Sequence, residues 1–233
     1  MKARRREWAW LAAGWLLAVV VFRGWPGLDL WVSAQFHAGA GVFPLDEHPV
    51  VRGVYLVVPW LGRAMFVASL LVLLWAWRRP AAVPRPWARR AGAMALVLVL
   101  GLTGVVHGVF KDHWGRPRPV HVTEFAGPHP FQPALQRSDL CQRNCSFVSG
   151  HAGTGYVLMA LGLFGAPATR RRWWAVGLAS GLLIGLGRVM QGGHFASDIV
   201  FGALIIGVCA ALIREAWLRL ALARRQRRLA RPA

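Results

Sequence analysis

A chain of 233 residues fits one domain, and its 56% hydrophobic content, with a mean hydropathy of +0.41, lies well above the soluble norm. The formal charge of +19, from 28 Lys and Arg against 9 Asp and Glu, would fit nucleic-acid binding, but the basic residues cluster at the ends of apolar runs. That placement argues for topology determinants touching anionic headgroups and against RNA or DNA binding, so the composition is read as that of an integral membrane protein.

The first apolar run, about Trp8 to Phe22, follows the basic residues Arg4 to Arg6. A cleavable signal peptide would explain this run alone, but no convincing small-residue cleavage site follows it, so it is read as helix one. Leu28, Trp31, Val32 and Phe36 then recur at helical spacing with Asp29, Ser33 and Gln35 between them. This predicts a short amphipathic helix lying on the outer leaflet.

Helix two is expected over Val54 to Trp77, with Arg63 inside the apolar run. At about 1.5 Å per residue Arg63 lies roughly 21 Å from the inner boundary at Trp77, toward the outer side of a core about 30 Å thick. A lipid-phosphate contact and snorkelling from a helix end both account for such a residue. A basic connector, Arg78 to Arg90, leads to helix three at Ala91 to Phe110.

The segment Arg116 to Val148 carries Pro117, Pro119, Pro128, Pro130 and Pro133 and is expected to be irregular, a length usually reserved for function. It contains Cys141 and Cys145, for which an oxidising compartment permits a bridge, although so small a loop leaves the pairing open. Cys209 falls in an apolar run, where a thiol acts as a small hydrophobe.

Helices four, five and six are expected over Gly153 to Ala168, Trp173 to Met190 and Ala196 to Trp217, against the roughly 20 residues a span needs. The remaining basic groups, Arg170 to Arg172 and Arg214 to Arg231, fall on the same side as Arg4 to Arg6 and Arg78 to Arg90. By the positive-inside rule both termini are cytoplasmic. The fold class is therefore all-α, an integral membrane bundle of six transmembrane helices.

Three polar clusters interrupt this pattern, and all fall near the extracytoplasmic side. Lys111 precedes Arg118-Pro119, then comes Ser149-Gly150-His151, then Arg188 with His194 and Asp198. Lys111, Arg118 and Arg188 supply the fixed cations that a phosphate monoester needs around its equatorial oxygens. Ser149 and Gly150 precede a predicted helix, where backbone N–H groups can face an anion, although Ser-Gly there also serves as a plain N-cap. His194 and Asp198 are four apart, on one face if helical, so the carboxylate can orient the imidazole. The other histidines, His37, His48, His107, His113, His121 and His129, receive a structural reading.

In order and separation, these clusters resemble the type 2 phosphatidic acid phosphatase superfamily. Phe110 to Pro119 and Asn144 to His151 are most similar to the Gram-negative lipid A phosphatases. Two positions depart from the pattern: Val148 stands where the family usually has Pro, and Gly187 where it usually has Ser. The resemblance implies that His194 is the nucleophile that becomes a phosphohistidine, that Asp198 orients it and that His151 is the general acid. It implies phosphate binding by Lys111, Arg118, Ser149, Gly150 and Arg188. No metal and no cofactor are expected, because the carboxylates nearest the motifs, Asp112, Glu124 and Asp139, are scattered and the cationic side chains already neutralise the phosphate. The expected substrate is lipid A or a precursor at the periplasmic face of the bacterial inner membrane. Undecaprenyl diphosphate or phosphatidylglycerophosphate hydrolysis, or lipid phosphotransfer, would use the same site. A transporter or lipid-binding protein has no need of two such histidines.

Overall fold

The computed structural model describes residues 2–229, and the last basic residue of the C-terminal group, Arg231, lies outside them. Apart from short 3-10 turns, seven helices follow in order among these residues: α1 (Lys2–Gly24), α2 (Gly27–Ala34), α3 (Pro49–Arg78), α4 (Arg85–Lys111), α5 (Gly150–Tyr156), α6 (Pro167–Met190) and α7 (Ala196–Leu229). Among the described residues the only β pairing is an isolated bridge between Val122 and His129. The chain is all-α, as expected.

Among the described residues five helices, α1, α3, α4, α6 and α7, are long and apolar enough to cross a membrane. Their outward faces carry Leu17, Val57, Leu71 and Leu183, all exposed, as a bilayer solvent allows. Trp10, Trp60 and Trp77 are exposed as well. Only Val58 and Ser69 of α3 are buried, although Pro59 lies within that helix.

The fourth predicted span takes a different form. The apolar run from Gly153 becomes α5 and a 3-10 continuation, Val157–Gly162, and α6 begins at once with Pro167 in its first turn. Seven α and six 3-10 residues give roughly 22 Å, short of the roughly 30 Å core. The segment is also enclosed. Tyr156, Val157 and Met159 are fully buried, and Gly155 lies so close to α6 that a Cβ would sit 2.6 Å from the Gly181 Cα. Small residues permit that backbone approach.

The core gathers on α7, where Phe201, Ile206 and Ala210 are buried against Tyr156 of α5 and Val157 of its 3-10 continuation, Val97 and Val106 of α4, and Ala18 and Phe22 of α1. The last part of α4, Val97–Lys111, winds as a π-helix. In its middle Gly101 faces Cys209 and Ile206 of α7 with no room to spare.

Helix α2 forms where the periodicity placed it, but its polar face does not look outward. Asp29 and Ser33 are buried and Trp31 is exposed. The inversion follows from partners distant in sequence: a carboxylate enters the interior only when paired, and Asp29 is paired there.

Candidate active site

The site assembles where α4 and α6 end and α5 and α7 begin, joined by the proline-rich segment between α4 and α5. Lys111 is the last residue of α4, buried, with Nζ donating to the Cys145 carbonyl at 3.1 Å. The backbone then turns at Gly115, whose φ of +75° and closeness to the Ser138 carbonyl leave no place for a side chain. The strands of this loop are stitched by Ser138 Oγ to Gly115 O at 2.7 Å, Ser146 N to Arg116 O at 2.9 Å and Cys145 N to Lys111 O at 2.9 Å. Cys141 and Cys145 are bridged by a disulfide, which resolves the pairing the spacing left open. Arg118, partly exposed, is steadied by a 2.9 Å bond from its guanidinium to the Asn144 carbonyl.

Ser149 caps α5: its hydroxyl accepts the Ala152 N–H at 3.3 Å. Its own N–H donates to the Asp198 carbonyl at 3.2 Å, so the expected Ser149 amide is directed at α7 and not at an anion. Gly150 is closely faced: a Cβ would stand 2.8 Å from the His107 Nε2 and 3.5 Å from the Lys111 side chain, so the His107 ring would have to move. His151 stacks on Tyr55 of α3, with centroids 4.9 Å apart, and its Nε2 lies 3.2 Å from the Tyr55 carbonyl.

The same tyrosine ring carries Arg188, whose guanidinium sits 4.5 Å above it. Arg188 is buried and donates to Gln191, which in turn donates to Asp46 at 2.9 Å. Gly193 leaves the space that this guanidinium fills.

His194 and Asp198 come together, but not on one helical face. His194 precedes α7, and Asp198 in its first turn reaches back so that Oδ2 accepts the Phe195 N–H at 2.8 Å. The His194 Nδ1 stands 3.5 Å from the same oxygen. This is an electrostatic contact; Nδ1 makes no hydrogen bond. Burial holds the imidazole well below the usual histidine range; Asp198 opposes the shift, while Lys111 and Arg188 add to it. Burial thus favours the uncharged imidazole, and two of the three expected cations lie in its electrostatic neighbourhood.

Arg116 and Asp29 were not singled out by the sequence. The Arg116 guanidinium is wholly buried and donates from Nη1 to Asp198 Oδ1 at 2.6 Å and to Ser197 Oγ at 2.8 Å. It also donates from Nη2 to Asp29 Oδ2 at 2.8 Å and from Nε to the Gln132 carbonyl at 2.8 Å. Burial alone would lower its pKa, but Asp198 and Asp29 more than offset that and raise it. Ser146 completes the shell of Asp198, donating to Oδ2 at 2.5 Å. Tyr55, on a helix that looks purely lipid-facing, carried no sequence signal.

A cavity of about 680 Å³ between α3 and α4 reaches Gly150 and His151. Its walls include Val58, Phe66 and Leu102, with Arg63, His107 and His151 as its basic groups. Arg63 lies over the Trp60 ring at 4.6 Å.

Three proteins named lipid A 4'-phosphatase are similar to this chain. The one from Rhizobium leguminosarum is 32% identical over 216 residues, covering 85% of this chain and 91% of that protein. The one from Rhizobium etli is 31% identical over 222 residues, 88% of this chain and 84% of that protein. The one from Francisella tularensis subsp. novicida is 45% identical over 116 residues, and the match spans 48% of this chain and about half, 51%, of that protein. No solved structure matches. Residues 92–221, which hold all three polar clusters, match the PAP2 superfamily, and the chain belongs to that superfamily.

Proposed function

We propose that this protein is a lipid A phosphatase that removes the 4'-phosphate at the periplasmic face of the bacterial inner membrane through a phosphohistidine. The observation that carries the chemistry is the buried His194 imidazole 3.5 Å from the buried Asp198 carboxylate, with the buried cations Lys111 and Arg188 close enough to act on it. The names of the three relatives support the substrate.

In this reading Lys111, Arg118 and Arg188 hold the phosphate dianion, with amides of the first turn of α5 beside them. With Nδ1 turned to Asp198, His194 Nε2 attacks phosphorus; the N–P bond forms as the bond to the sugar oxygen breaks. With the phosphate dianion bound beside it, His151 is held in its protonated form; it gives that proton to the leaving oxygen, then takes one from water as water attacks phosphorus and the N–P bond breaks. Inorganic phosphate leaves and both imidazoles return to their starting forms. The cationic cradle neutralises the phosphate, so turnover is expected without a divalent metal.

The membrane arrangement belongs to the same reading. All 233 residues form one unit, α5 with its 3-10 extension is a short fourth crossing enclosed by the other five, and both termini are cytoplasmic. The basic groups Arg78–Arg90 and Arg170–Arg172 then face the cytoplasm. The cavity between α3 and α4 leads lipid toward His151, with Arg63 placed to meet an anionic headgroup.

The test is purified protein incubated with lipid A, phosphatidic acid, undecaprenyl diphosphate and phosphatidylglycerophosphate, with products resolved by mass spectrometry. Loss of the 4'-phosphate from lipid A, with release of inorganic phosphate, is expected to be fastest. Faster consumption of another lipid would replace the substrate, and transfer of phosphate to a second lipid would replace hydrolysis.

A further inference from the structure

We propose that Asp29, on α2, is a positioning residue for this reaction: by sharing the Arg116 guanidinium it leaves Asp198 the negative charge that steadies His194 as the nitrogen-phosphorus bond forms. This rests on the phosphatase reading above.

Asp198 and Arg116 are both fully buried and 2.6 Å apart. Taken alone, such a pair is neutral, and a neutral pair does little for an imidazole that becomes cationic when its Nε2 bonds to phosphorus. Lys111 and Arg188 already oppose that cation. Asp29 changes the sum. Its Oδ2 lies 2.8 Å from Arg116 Nη2, its side chain is 1% exposed, and one guanidinium then serves two carboxylates with one negative charge left over.

Ser197 also ties the two carboxylates together. Ser197, the neighbour of Asp198, donates its N–H to Asp29 Oδ1 at 2.8 Å and its hydroxyl to Asp29 Oδ2 at 2.5 Å. The same hydroxyl accepts from Arg116 Nη1 at 2.8 Å. Asp29 therefore fixes both the cation and the backbone that carries Asp198. Helix α2 lies outside residues 92–221, so the matched superfamily segment does not itself contain this carboxylate.

A merely structural anchor and a charge-balancing one predict opposite results. Asp29→Asn keeps an oxygen for the Ser197 N–H but loses the charge. In detergent-solubilised full-length protein acting on lipid A, Asp29→Asn is expected to lower kcat at least tenfold with KM within threefold of wild type. Asp29→Asn combined with Arg116→Gln removes one charge of each sign. The double variant is expected to recover kcat at least threefold over Asp29→Asn, whereas a structural anchor would make it worse. A single variant with kcat within twofold of wild type, or a folded double variant less active than the single, overturns the proposal. If Asp29→Asn does not fold, the folded double variant decides: kcat within about tenfold of wild type supports it, and an inactive one overturns it. A wild type that hydrolyses no lipid phosphate overturns the phosphatase reading as well.

Discussion

Arg116 Nη1 lies 2.6 Å from Asp198 Oδ1, and neither side chain has measurable exposure. The contact joins the loop after α4 to the first turn of α7 across 82 residues of sequence. Desolvating both ions is costly and their attraction compensates only when every donor and acceptor is used. Here the guanidinium donates to two carboxylates, a hydroxyl and a carbonyl, and lies 4.3 Å from the Phe195 ring centroid.

Breaking this pair from one side should therefore be severe. Arg116→Gln alone leaves Asp29 and Asp198 as two buried carboxylates without a cation, a loss of about 3–5 kcal/mol. The expected result is a fall in Tm of about 10 °C for a chain of this size. Arg116→Lys should also be destabilised, because an ammonium cannot fork between two carboxylates. A Tm within about 2 °C of wild type for Arg116→Gln would contradict the account.

Neither Asp29 nor Arg116 could be singled out from the sequence, and the reason is physical. Asp29 sits among apolar residues at helical spacing, a pattern that normally directs a carboxylate to water, and only the distant Arg116 and Ser197 turn it inward. Arg116 precedes Arg118 by two residues and looks like another loop cation. Lys111, Arg188, His194 and Asp198 were legible because short motifs fix their separations. The apolar pattern also located α5 without revealing its form. Burial inside protein and exposure to lipid select the same residues, so hydrophobicity could not tell an enclosed 13-residue segment from a full span.

His151 is expected to matter most when the leaving oxygen is a poor one. His151→Ala should reduce lipid A turnover at least 100-fold, within the range of general acid catalysis. An aryl phosphate, which departs with little need of a proton, should recover part of the first step. Equal losses on both substrates would assign His151 a structural role, or one confined to the hydrolysis of the phosphohistidine.

A buried neutral histidine also leaves a mark on stability. Because the folded-state pKa of His194 is lowered, the unfolded chain binds its proton first, near pH 6.5. The stabilisation is present above that pH and is lost as pH falls below it toward the folded value. Between pH 7 and pH 5 the Tm of His194→Asn should accordingly decline less than that of wild type. Parallel declines would mean that His194 is not held neutral by burial.

Sidedness is checked by labelling. In a Cys209→Ala background, a cysteine at the exposed position Glu124 should react with an impermeant maleimide on intact spheroplasts, and one at exposed Ala82 only after lysis. The reverse pattern would invert the topology derived from the basic clusters.

The most direct test of the central claim is the mass of lipid A from a Gram-negative host expressing this protein. Wild type is expected to convert lipid A to a species lighter by one phosphate, with fragmentation placing the loss at the 4' position. His194→Ala, expressed at the same level, is expected to leave it unchanged, since no other group replaces the attacking nitrogen. Fully phosphorylated lipid A in the wild-type strain would contradict the substrate, and conversion by His194→Ala within about tenfold of wild type, about 1.4 kcal/mol in barrier height, would contradict the nucleophile.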